Sequence, residues 1–67
     1  MDKFAIKLKE IRTEKGYTQK QLAEAIKTTD DSIYSWEKGR SQPSIEMLRA
    51  LSKFFEVSTD YLLGLED

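Results

Sequence analysis

Apolar residues along this chain recur every three to four positions, and no segment alternates apolar and polar residues as a half-buried strand does. Phe4, Leu8 and Ile11 share one stripe of a first helix that stops at Gly16, with Ile6 pointing away from the stripe and exposed. After Gly16 the signals for starting a helix recur. Thr18 caps a second helix, with Tyr17 before it, Leu22 four residues beyond, and Gln21 placed to complete a capping box. Thr29 caps a third helix with Ile33 four residues on, and Ser44, behind Pro43, caps a fourth with Leu48 four on. Ser58 caps a fifth between Val57 and Leu62, a hydrophobic staple, and Gly64 supplies a left-handed stop onto which Leu65 can fold back. The pattern predicts an all-α fold of five short helices with short loops, in one domain over residues 1–67.

The fourth helix carries more apolar surface than one face needs. Ile45, Leu48, Leu51, Ser52 and Phe55 form its main stripe, while Met47 and Phe54 lie roughly 90° around the helix at about 100° per residue. Two readings follow: a central helix packed on two sides, or a second stripe that meets a partner chain.

Between the second and third helices stand only Lys27 and Thr28, which forces a sharp crossing. Ala23 is the small residue such a crossing needs, and Ile33 and Trp36 turn one face of the third helix toward the core. This is the helix-turn-helix pattern.

Composition narrows the chemistry. The 67 residues have room for a single modest core and contain neither cysteine nor histidine. The commonest general base, the commonest metal ligand and all thiolate chemistry are therefore absent. The three glycines stand apart at 16, 39 and 64 and form no phosphate-cradling loop. An enzyme is not expected, nor a metal or a cofactor. No apolar run is long enough to span a membrane and the N-terminus lacks a signal peptide's apolar block, so the expectation is a cytoplasmic protein. The net charge of −1 hides an asymmetry: residues 1–40 carry nine Lys/Arg against seven Asp/Glu, residues 41–67 two against five. A polyanionic partner would be met by the first portion.

From Leu8 to Leu63 the sequence resembles the Cro/lambda-repressor type of helix-turn-helix regulator, the XRE family. The likeness is carried by LKEIRTEKGYTQKQLAEAI, TTDDSIYSWEKGRSQPSIEMLRALSKFFEV and STDYLLG, which together cover over four-fifths of the chain. It implies a five-helix domain that binds double-stranded operator DNA, usually as a homodimer on an inverted repeat, in bacterial or phage transcription control. Carried over position by position, it puts Thr18 and Gln19 at a phosphate, with Gln19 near the base edges. Asp30, Asp31, Ser32 and Ser35 face the major groove, and Lys38, Arg40 and Gln42 grip the backbone. Arg12 corresponds to an arginine that pairs with the glutamate of the third helix, here Glu37. A dimer contact is expected in the C-terminal third, where Leu63 and Leu65 exceed the needs of a short helix and Phe54 can join them.

The chain also departs from that family. Lys27 stands where glycine is usual, so a lysine is expected at positive φ at a cost of roughly 1 kcal/mol. Trp36 fills a site more often aliphatic. Asp30 and Asp31 stand where glutamine, arginine or serine is common. Acids in a first helical turn favour the positive end of the helix dipole. A carboxylate there can also accept from the N4 amino group of cytosine and repel the acceptor-rich edge of guanine. Two functional classes remain at this point. One is a sequence-specific DNA-binding regulator, most simply a repressor. The other is a protein-interaction module on the same fold, antitoxin-like or an adaptor, which the acidic balance and acidic helix front favour.

Overall fold

The computed structural model describes residues 2–66, and its helices follow in chain order: α1 (Lys3–Glu14), α2 (Gln19–Ile26), α3 (Asp30–Glu37), α4 (Ile45–Phe55) and α5 (Thr59–Leu62). The four expected caps are in place. Thr18, Thr29, Ser44 and Ser58 each accept from the backbone N–H three residues on, and Gln21 Oε1 returns the bond to the Thr18 N–H at 2.9 Å. A further cap is Asp2, whose carboxylate accepts from the Phe4 N–H at 3.0 Å.

The C-termini share one device. Each helix closes with a backbone bond from residue i to the carbonyl of i−5: Tyr17 to Arg12, Thr28 to Ala23, Arg40 to Ser35, Val57 to Ser52 and Leu65 to Asp60. This is the Schellman closure, and it requires a left-handed residue just before the donor. Glycine fills that position at 16, 39 and 64, but Lys27 (φ 64°) and Glu56 (φ 57°) fill it at the ends of α2 and α4. Lys27 is left-handed as expected, and Glu56 adopts the same conformation without a warning in the sequence. Gly64 answers a second demand: a Cβ there would lie 2.7 Å from the Cβ of Lys3, so the end of α5 rests directly on the start of α1.

The core draws on every helix. Phe4, Leu8 and Ile11 of α1 meet Leu22, Ala23 and Ile26 of α2, Ile33 and Trp36 of α3, Leu51 and Phe55 of α4, and Leu62 of α5. α2 packs on α3, α1 on both α3 and α5, and α4 on α2 and α5. Met47 and Phe54 are half-buried against the same core, so both apolar stripes of α4 are packed. One member of the main stripe is corrected: Ile45 is 71% exposed. It is the first residue of α4, a full turn before Leu48, where the stripe begins to meet the other helices. Leu65 is likewise 71% exposed, so the Schellman closure after α5 is made by backbone without the apolar fold-back. Among the described residues no helix is long and apolar enough to cross a membrane.

Candidate nucleic-acid interface

Ile33 and Trp36, both buried, hold one face of α3 in the core, which turns the opposite face outward. Asp30, Asp31, Tyr34 and Lys38 are exposed on that outer side, and Ser32 and Ser35 are half-buried at its edges. Thr29 does the capping: its Oγ1 accepts from the Ser32 N–H at 3.1 Å and lies 3.0 Å from the Ser32 hydroxyl. The carboxylates of Asp30 and Asp31 are thereby left without a hydrogen-bond or ion-pair partner among the described residues. They sit in the first turn, at the positive end of the helix dipole, as acceptors open to solvent.

The opposite end of α3 is tied down by a buried polar network. Arg12 donates from Nε to Glu37 Oε2 at 2.6 Å and from Nη2 to Glu37 Oε1 at 3.0 Å, a two-pronged pair between α1 and α3. The Arg12 and Glu37 side chains are only 10% and 3% exposed. Arg12 Nη1 reaches the Tyr17 carbonyl at 2.8 Å, and Gln19 Nε2 donates to Glu37 Oε1 at 3.2 Å. No buried side-chain nitrogen or oxygen among the described residues lacks a partner. A buried charge pair is tolerable only when satisfied this fully.

Gln19 is thus held in place by Glu37. It opens α2 behind the Thr18 cap, with one amide N–H committed to the carboxylate and the other N–H and the carbonyl oxygen free. The Thr18 cap takes the Gln21 N–H, and the Gln19 and Lys20 N–H groups ahead of it have no intrahelical acceptor, which suits that end to a phosphate oxygen. The Gln19–Glu37 bond had no signal in the sequence, since it joins residues on different helices.

After α3 the chain passes through left-handed Gly39 into the loop that carries Arg40 and Gln42. The Ser35 hydroxyl meets that of Ser41 at 2.7 Å, and the Arg40 N–H donates to the Ser35 carbonyl at 3.0 Å, so α3 holds the loop that follows it. Lys38 Nζ lies 5.6 Å and Arg40 Cζ 5.7 Å from the centre of the Tyr34 ring. Thr18, Lys38, Arg40 and Gln42 are all exposed.

Of the residues expected at a dimer contact, Leu63 and Phe54 line different depressions. Leu63 lines a groove with Phe4, Gln42, Pro43 and Leu48, next to the loop after α3. Phe54 lines a different, shallow depression with Ala25, Ile26, Lys27, Ala50 and Lys53. Its ring packs 5.2 Å from that of Tyr17 and 5.1 Å from that of Phe55, an aromatic cluster joining the α1–α2 turn to α4. Leu63 and Leu65, on either side of Gly64 in the chain, are both exposed, at 39% and 71%.

A family model described as "Helix-turn-helix" matches residues 8–62. The HTH-type transcriptional activator BcrR of Enterococcus faecalis is 44% identical over 64 residues, covering 96% of this chain and 31% of its own length. The HTH-type transcriptional regulator ImmR of Bacillus subtilis (strain 168) is 39% identical over 61 residues, covering 91% of this chain and 48% of its own length. This chain therefore spans less than half the length of either relative. Among solved structures, the P22 c2 repressor protein, crystallised in complex with a synthetic operator, superposes with a TM-score of 0.90 at 27% identity, covering 98% of this chain and all of that one.

Proposed function

Because this chain belongs to the helix-turn-helix family, we propose that it is a sequence-specific DNA-binding transcriptional regulator, most simply a repressor, that enters the major groove of its operator with α3. The observation that carries this reading is the likeness to the P22 c2 repressor, which extends over 98% of the chain at a TM-score of 0.90. A regulator of this kind works on the chromosome, in the cytoplasm.

In this reading Gln19, Asp30, Asp31, Ser32 and Ser35 face the base edges, and Thr18, Lys38, Arg40 and Gln42 meet the phosphates. The unpartnered carboxylates of Asp30 and Asp31 accept from cytosine N4 and repel guanine. Near phosphates they also lower affinity for unrelated DNA, a useful property in a protein that must find one site among many.

The working form on DNA is a symmetric homodimer on an inverted repeat. The molecule measures 27 × 24 × 23 Å. Half-sites one turn apart are separated by about 34 Å, so two copies on one side of the duplex meet only at their edges. A small contact through Leu63 and Leu65 suits that spacing. It is effective mainly on DNA, where the neighbouring half-site raises the effective concentration. Phe54 belongs instead to the packing of α4 on the Tyr17 turn.

The test is selection from random duplexes, followed by titration of the selected and unrelated sequences across salt. Affinity that falls steeply with salt, with an inverted repeat among the selected sequences, is expected. Asp30→Asn and Asp31→Asn should bind unrelated DNA more tightly and shift preference away from cytosine at one position, with discrimination changing by about 1–3 kcal/mol. Leu63→Glu with Leu65→Glu should abolish cooperative binding to the full site while half-site affinity survives. Binding to a protein that is insensitive to salt, with no selected duplex, would instead establish the interaction-module reading, for which the acidic front of α3 is the supporting feature.

A further inference from the structure

The Tyr34 ring is not needed by the core. It is 41% exposed on α3, yet two cations gather over it, Lys38 Nζ at 5.6 Å and Arg40 Cζ at 5.7 Å. Both distances are within the range in which a cation is attracted to the negative face of an aromatic ring. Two like charges on neighbouring long side chains would otherwise spread apart into water, each with large rotamer freedom. The next residue along the helix constrains the same loop by a separate route: the Ser35 hydroxyl meets Ser41 at 2.7 Å, and its carbonyl accepts from the Arg40 N–H at 3.0 Å. Consecutive α3 residues thus fix the loop twice, Ser35 through its backbone path and Tyr34 through its charged side chains.

We propose that Tyr34 is a positioning residue that gathers Lys38 and Arg40 over its ring and pre-orders them to hold phosphates of the DNA backbone flanking the groove that α3 enters. The inference rests on the operator-binding reading and adds to it a residue that acts without touching a base. A guanidinium attracted to a ring face keeps N–H groups at its edge for a phosphate oxygen, and an ammonium keeps N–H groups directed away from the ring. Contact with DNA therefore does not require the stack to break. Side chains already gathered lose less freedom on binding, and pre-organisation raises affinity by reducing that loss. The gain is independent of sequence, because the groups it orders meet phosphates rather than bases.

The test compares Tyr34→Leu, which removes the π face, with Tyr34→Phe, which keeps it. Each is made alone and together with Lys38→Gln and Arg40→Gln, and melting curves establish that each variant is folded. In the free protein, NMR should show the Lys38 ε-methylene and Arg40 δ-methylene protons shifted upfield by the ring. That shift should persist in Tyr34→Phe and vanish in Tyr34→Leu. In titrations with a selected duplex and an unrelated one, Tyr34→Leu should weaken both by a similar factor, about three- to ten-fold. Tyr34→Phe should stay within about twofold of the parent. With Lys38 and Arg40 neutralised, Tyr34→Leu should have no further effect. Absent ring-current shifts, an effect that survives neutralisation, or equal losses in Tyr34→Phe and Tyr34→Leu each overturn the proposal. Parent protein that binds DNA as tightly as Tyr34→Leu overturns this inference alone. Parent protein that shows the ring-current shifts but no salt-dependent DNA binding overturns the operator reading, and the phosphate role of Tyr34 with it.

Discussion

Two of the joints in this bundle are built from opposite materials. α3 is fastened to α1 by the charged pair Arg12–Glu37, with Gln19 and the Tyr17 carbonyl completing its hydrogen bonds. α4 is fastened to the α1–α2 turn by the rings of Tyr17, Phe54 and Phe55. A two-pronged guanidinium–carboxylate pair is directional and accepts little error in angle. Aromatic and aliphatic contacts are broad minima that tolerate repacking. The element proposed to read DNA thus has the joint that sets orientation, and the element behind it has the joint that supplies burial. Tyr17 belongs to both, its carbonyl in the polar joint and its ring in the aromatic one.

The contrast breaks most sharply at the polar joint. Glu37→Gln or Arg12→Met should each cost about 3–5 kcal/mol, because either leaves a nearly buried charge without its partner. That is a large part of the stability available to so small a domain. The double variant should lose clearly less than the two single losses added, and denaturant melts of all four proteins measure the difference. A coupling indistinguishable from zero would make the polar joint no more specific than the aromatic one.

The aromatic joint should yield more gradually. Phe54→Ala is expected to cost about 2 kcal/mol, below the usual range for a fully buried ring because Phe54 is half-buried. Phe54→Leu should cost less than about 1.5 kcal/mol. Coupling between Phe54→Ala and Tyr17→Ala in a thermal-melt cycle should be about 0.5–1.5 kcal/mol. A loss from Phe54→Leu as large as that from Phe54→Ala would mean that this joint, too, depends on exact geometry.

The smallest effects lie at the helix ends that serve the two joints. Lys27→Gly and Glu56→Gly should each raise stability by about 0.5–1 kcal/mol, since glycine relieves the left-handed strain but adds freedom to the unfolded chain. A gain at Glu56 without one at Lys27 would indicate that the Lys27 side chain, beside Phe54 in its depression, contributes packing that offsets the strain.

The local rules were legible from one end of the chain to the other. Thr18, Thr29, Ser44 and Ser58 announce their helices because a cap needs only a short oxygen-bearing side chain and the N–H three residues on. Ala23, Ile33 and Trp36 announce the crossing of α2 and α3 because spacing along a helix dictates which residues share a face. What tertiary structure alone decided is of another kind. The sequence pattern put Ile45 on an apolar stripe, but only the placement of neighbouring helices determined that the stripe meets the core at Leu48 and leaves Ile45 in water. Phe54 packs its ring against that of Tyr17, a contact across the fold that spacing along α4 does not indicate. Glu37 receives Gln19 through side-chain geometry that no periodicity encodes. Helix caps and faces are set by residues three or four apart, within reach of one another before the chain folds. Joints depend on atoms that meet only once every helix has its place.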